Sequence, residues 1–158
     1  MVRVWIASLF VMAACWLTGC SGKKMPETVP TFPVSGTVHI DGKPTGAVRV
    51  MMYPAEKPPE FIDPNVGAPH QSVTDPAGKF QITTYFQGDG APVGSYVVFF
   101  YWEGNPKVTP FAIPDEMPVD PVAARFNKKY ANAVRPQQQA TVEEGKPTDL
   151  GVLELTTK

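Results

Sequence analysis

The side chains able to carry acid–base or metal chemistry are few. They are two histidines, His39 and His70, three aspartates in turn-forming segments, Asp63, Asp75 and Asp89, and the adjacent pair Glu143 and Glu144. Zinc takes about four nitrogen or sulfur ligands at close spacing, and neither histidine has a Cys or a second His beside it. Calcium takes six to eight oxygens, and no Asp-x-Asp-x-Asp loop exists, so Asp beside Gly or Pro reads as a turn cap. Neighbouring residues on a strand point to opposite faces, which separates Glu143 from Glu144 as a carboxylate pair. No Gly-x-Ser-x-Gly nucleophile elbow occurs. No metal, no cofactor and no catalytic centre is therefore expected, with His39 on the polar face of a strand and His70 in a loop. Binding chemistry is left to Tyr85, Phe86, Tyr101 and Trp102 near strand ends, where rings can stack on a sugar or a protein. The alternative for these rings is core and rim packing.

One nucleophile stands apart. Arg3 is the sole charge before Lys23, and Val4 to Trp16 is almost wholly apolar. That run is too short for a spanning helix, which needs roughly twenty residues, and reads as a secretory signal. It ends in Leu17-Thr18-Gly19-Cys20, which resembles the bacterial lipobox. The resemblance implies cleavage between Gly19 and Cys20, a diacylglyceryl group on the Cys20 thiol, and acylation of the freed amine by chains such as palmitate. Two or three acyl chains anchor stably where one alone is marginal. Ser21 after the Cys, by the same resemblance, points to the outer membrane rather than inner-membrane retention. Cys15 leaves with the signal, so the mature domain has neither a free thiol nor a disulfide.

The elements that must position any site follow from composition and alternation. The chain has 158 residues, 18 of them Pro, with 43% hydrophobic residues and a net charge of −1. That length fits one domain, the apolar content excludes a wholly disordered chain, and the proline content argues against long helices. The balanced charge excludes a broad nucleic-acid face, so no nucleic-acid partner is expected. Residues 1–19 are assigned to the signal, 20–33 to a lipidated tether, and 34–158 to the folded domain.

Val34 to Ile40 alternates with period two, Asp41-Gly42-Lys43-Pro44 is turn chemistry, and Val48, Val50 and Met52 form the face of a second strand. Together they predict a hairpin. A proline-rich loop from Pro54 to Pro69 precedes a short strand over Ser72 to Asp75. The Asp75-Pro76-Ala77-Gly78 turn leads to Phe80, Ile82 and Thr84 in alternation. After the Gly88–Pro92 turn, Ser95 to Trp102 is apolar on both faces, as in a central strand, and needs cover on both. Asp120 caps a helix with Pro121 first, and Val122, Phe126 and Tyr130 share one face. Thr141 to Glu143 and Leu150 to Leu155 close the chain as strands around Gly145-Lys146-Pro147.

Several of these segments carry a family resemblance. Val34-Ser35-Gly36-Thr37-Val38 with Asp41-Gly42-Lys43-Pro44, Thr74 to Phe80, and Gly90-Ala91-Pro92-Val93-Gly94-Ser95-Tyr96 resemble carboxypeptidase regulatory-like domains, related in shape to transthyretin. Phe126 to Ala131 and Glu144-Gly145 resemble a subset found among small lipoproteins of planctomycete-type bacteria. Arg135-Pro136-Gln137-Gln138-Gln139 departs from that subset's strand lead-in. The resemblance implies an all-β, seven-strand Greek-key β-sandwich with one short helix near 121–131, and no defined catalysis. The expected protein is a lipid-anchored envelope lipoprotein with a non-catalytic binding or structural module, facing the periplasm or the surface. Its expected partners are membrane lipid through the Cys20 acyl chains and an envelope protein or glycan. The alternative is a small transthyretin-like hydrolase, which would require His39 or His70 to converge with Arg49 and a carboxylate in one pocket.

Overall fold

The computed structural model describes residues 28–59, 67–104, 120–132 and 138–158. In chain order the elements are β1 (Thr31–Phe32), β2 (Val34–Ile40), β3 (Lys43–Pro44), β4 (Val48–Pro54), β5 (His70–Val73), β6 (Lys79–Gln81), β7 (Ala91–Pro92), β8 (Gly94–Trp102), α1 (Pro121–Tyr130), β9 (Gln138–Val142) and β10 (Thr148–Leu155). Three of these strands, β1, β3 and β7, are two-residue pieces, which leaves seven strands of substance, as expected. One sheet holds β2 at its centre, with β10 on one edge and β3 and β6 on the other. The second runs β5-β4-β8-β9. Between them lies an apolar core from Val34, Val38 and Ile40 of β2, Val50 and Met52 of β4, Val98 and Phe100 of β8, and Leu153 and Leu155 of β10. The described residues form an all-β sandwich with one short helix. Strand β6 returns beside β2 after β4 and β5 have started the other sheet, which is the Greek-key return.

Turn chemistry places the reversals. Asp41 and Gly42 have φ of 51° and 76°, the two positive values that a tight hairpin turn requires, and they join β2 to β3. The predicted β2–β4 hairpin does not form. The chain leaves β3, turns through Thr45 and Gly46, and delivers β4 to the opposite sheet, where it pairs with β5 and β8. Thr74 locks this crossing: its Oγ1–H donates to the Thr45 carbonyl at 2.8 Å and the same oxygen accepts the Val48 N–H at 3.0 Å. The last two strands are likewise not partners. Strand β9 pairs with β8, and β10 pairs in parallel with β2, so the Gly145–Pro147 turn is a second crossing. The short strand expected over 72–75 lies at His70–Val73.

Strand β8 is buried on both faces, as its sequence requires. Tyr96, Val98 and Phe100 face the core between the sheets, while Val97 and Phe99 join Met51 and Ala68 in a separate outer cluster with Tyr53, Tyr101 and Ala131. Helix α1 starts as expected: the Asp120 carboxylate accepts the Val122 N–H at 2.8 Å and Pro121 follows it. Its buried face is Ala123, Phe126 and Tyr130, with Ala123 in the place expected of Val122.

Folded structure begins ahead of the expected boundary at Val34. Thr31 and Phe32, assigned from sequence to the tether, pair with Pro92 and Ala91. Gly90 makes this approach possible. Its φ is +87°, and a Cβ on it would run into the Phe32 carbonyl oxygen. Gly90→Ala is expected to cost about 2–4 kcal/mol, from the left-handed backbone plus the clash. Urea unfolding measures it, and hydrogen exchange at Phe32 and Ala91 is expected to quicken more than elsewhere.

Candidate functional site

The histidines lie far from one another in chemical terms. His39 is on the outer face of β2, where its Nδ1–H donates to Glu154 Oε1 of β10 at 2.9 Å. His70 does not lie in the loop where the sequence places it. It opens β5 and is 8% exposed, opposite Met52 on the inward side of the sheet. Its ring meets Tyr96 edge-on at 5.3 Å. Thr84 Oγ1–H donates to the Gly90 carbonyl, so that oxygen accepts from His70 Nδ1–H at 2.7 Å. This holds the neutral tautomer with its proton on Nδ1. Burial pushes the imidazole below the ordinary histidine range, with the Asp89 carboxylate pulling the other way. Arg49 belongs to the outward side of β4, between the inward Val48 and Val50, and reaches Glu103 at 3.8 Å. His39, His70 and Arg49 therefore occupy the outer face of one sheet, the interior, and the outer face of the other. They do not form the convergence that a transthyretin-like hydrolase would require.

The aspartates behave as turn caps. Asp75 Oδ1 accepts the N–H groups of Ala77 and Lys79 at 2.8 and 2.9 Å. Asp89 accepts those of Thr84, Tyr85 and Phe86 at 2.7, 2.9 and 3.1 Å. Burial alone would raise the Asp89 carboxyl, but these donors outweigh it and hold it below the usual carboxylate range. Glu143 pairs with Lys146 at 2.7 Å. Among the described residues no group of three His, Cys, Asp or Glu could hold a metal. Asp63, Gly19 and Cys20 lie outside the described residues.

The four candidate aromatics are not brought together. Trp102, the last residue of β8, packs edge-on against Phe126 of α1 at 5.9 Å. Tyr101 belongs to the outer cluster with Met51 and Phe99. Tyr85 and Phe86 sit on the Asp89-fastened turn just before β7, which leads into the opposite end of β8, and are 42% and 75% exposed. At ~3.3 Å per residue, β8 is about 26 Å long. No single ring platform spans that distance.

What the fold does build is an open polar groove of about 720 Å³ over the outer face of β2 and β6, reaching β5. Ser35, Thr37, Ser72 and Thr83 offer it hydroxyls, and Gln81 and Gln87 offer amides. Two of its charges are already engaged locally, since Asp75 caps its turn and Asp149 accepts the Gly151 N–H at 2.9 Å. No His or Cys lines it, and its hydroxyls and amides give it hydrogen-bonding capacity. That suits a polar, uncharged ligand surface such as a glycan or a peptide backbone. Sequence reasoning missed this groove because its residues come from segments distant along the chain. It also missed Asn127, whose Oδ1 accepts the Trp102 N–H while its Nδ2–H donates to the Trp102 carbonyl, both at 2.8 Å.

No family model matches the chain, and no curated protein does. Among solved structures, the chain is similar to a 9R-lipoxygenase from Cyanothece PCC8801, at 16% identity and a TM-score of 0.35, over 94% of this chain and 20% of that one. The chain thus spans one fifth of that enzyme's length, and a likeness of this size assigns neither fold nor activity.

His70 gives a pH signature. Because its folded-state value lies below the unfolded one, the unfolded chain binds more protons once pH drops below about 6.5. The stability from this site is complete above that pH and is lost as pH falls towards the depressed value. The urea midpoint is expected to fall between about pH 7 and pH 5.5, and to fall less in His70→Gln. Equal slopes for the two proteins would remove His70 as the source.

Proposed function

We propose that this chain is a membrane-anchored lipoprotein carrying a non-catalytic β-sandwich that binds or scaffolds an envelope protein or glycan. The observation that carries the reading is the run of Leu17-Thr18-Gly19-Cys20 behind an apolar segment, with a sandwich whose described residues begin eight positions later. Among the described residues no helix is long and apolar enough to cross a membrane; on this reading the Cys20 acyl chains hold the domain at the bilayer. The groove supplies ligand-binding groups, and the scattering of His39, His70 and Arg49 favours recognition over hydrolysis. Outer-membrane residence follows from Ser21, by resemblance.

Membership of the carboxypeptidase regulatory-like group belongs to the same proposal. In the Pro92-Val93-Gly94-Ser95-Tyr96 segment the Tyr96 hydroxyl donates to the Pro92 carbonyl at 2.8 Å. This physical device explains the spacing of that motif, much as a tyrosine corner does in other sandwiches. It supports the resemblance, as do the Asp41-Gly42 and Asp75–Gly78 turns.

Two measurements test the proposal. Wild-type protein is expected to take up labelled palmitate in cells and Cys20→Ala to take up none, with the unfolding midpoint of the domain unchanged. Equal labelling of the two would overturn the anchor. Affinity capture from native membranes is expected to retain a specific protein or polysaccharide that Ser35→Arg, which fills the groove, loses. Recovery of no specific species, or equal recovery with the variant, would overturn the groove as the recognition site.

A further inference from the structure

Six large apolar residues stay exposed among the described residues, and four of them lie at one end: Val29, Tyr85, Phe86 and Val93. Backbone contacts tie them together. The Val29 N–H donates to Tyr85 Oη at 3.3 Å, and Thr31 pairs with Pro92, which sets Val93 beside the residues preceding Thr31. Phe86 is the most exposed of the six at 75%. Its turn is held by three backbone N–H groups on the Asp89 carboxylate, so the ring is presented from a fixed backbone.

This end is also where the chain arrives from Cys20. Seven residues lie between Cys20 and Thr28, so the eight steps reach at most ~28 Å when fully extended. On the anchor reading above, on which this inference rests, the apolar end is the part of the domain closest to the bilayer. A Tyr, with an apolar ring and a polar hydroxyl, suits the headgroup layer, and an exposed Phe suits the boundary between headgroups and acyl chains. Lys23 and Lys24 in the intervening segment add attraction to anionic lipid.

We infer that this end of the sandwich docks on the bilayer that holds the Cys20 acyl chains, with Phe86 and Tyr85 entering the headgroup layer and Val29 and Val93 flanking them. Docking fixes the orientation of the domain. Gln87, next to Phe86, lines the polar groove, so the groove then opens beside the lipid surface rather than away from it.

The mature chain offers a built-in control. Trp5 and Trp16 precede Cys20, so after processing Trp102 is the remaining tryptophan, at the far end of β8. Lipidated full-length Phe86→Trp is reconstituted in vesicles of phosphatidylcholine and phosphatidylglycerol, with and without bromine on the acyl chains. The expected result is a blue shift and loss of most of the added emission with brominated lipid, while the wild-type emission from Trp102 is unchanged. Tyr85→Trp is a second reporter with the same expectation. Added emission that brominated lipid leaves intact, in protein that still floats with the vesicles, overturns the docking and leaves the anchor standing. Protein that does not float overturns the anchor and the docking together. A shift that follows protein concentration in lipid-free detergent marks a second copy as the occupant, and one that needs added envelope protein marks a protein partner. Either overturns the lipid assignment.

Discussion

Strand β8 must be kept dry on both faces, and the rest of the molecule is arranged to do so. Each large apolar side chain fully buried is worth about 1.5–3 kcal/mol, against a net stability of about 5–15 kcal/mol for a domain. Uncovering either face would consume much of that margin. The inner face is covered by β2, β6 and β10 across the core. The outer face is covered by the cluster around Met51 and Phe99. Helix α1 closes the remaining side. Strand β9 pairs with β8 from Gly94 to Val98, and four positions further along β8 Asn127 takes both hydrogen bonds of Trp102, acting as a strand would. The Tyr130 hydroxyl accepts the Thr156 N–H at 3.0 Å, so the same helix ties the end of β10 to the opposite sheet.

Acidic residues show a parallel economy. Asp41, Asp75, Asp89, Asp120 and Asp149 each accept at least one backbone N–H, and these are all the aspartates among the described residues. A carboxylate whose oxygens already hold backbone N–H groups is poorly placed to rearrange around an ion. The turn-forming aspartates are thus part of the fold's fastening, while hydroxyls and amides line the groove on the outer face of the first sheet.

Local signals in the sequence were legible where the cause is local. The Asp41-Gly42 turn, the Asp120-Pro121 helix start and the two-faced run from Val97 to Phe100 depend on neighbours a few positions away. Pairing was not legible. A turn such as Gly145-Lys146-Pro147 says that the chain reverses, but the crossing between sheets is decided by what lies on the far side of the core. His70 was misplaced because its burial comes from Tyr96 and Thr84, neither of them adjacent in sequence. The separation of Tyr101 from Trp102 was readable, since consecutive residues on one strand face opposite ways. The polar groove was not, because Ser35, Ser72 and Gln87 meet only through tertiary structure.

The parallel pairing of β2 with β10 also bears on how the molecule comes into being. His39 and Glu154, neighbours across that pair, are 115 positions apart. The central strand of the first sheet thus waits for one of its partners until almost all of the described chain is present. Contacts of such long range slow folding, because loop closure must come before the contacts that reward it. The β2–β10 ladder can therefore close only once β10 has been made, however early the other strands have paired.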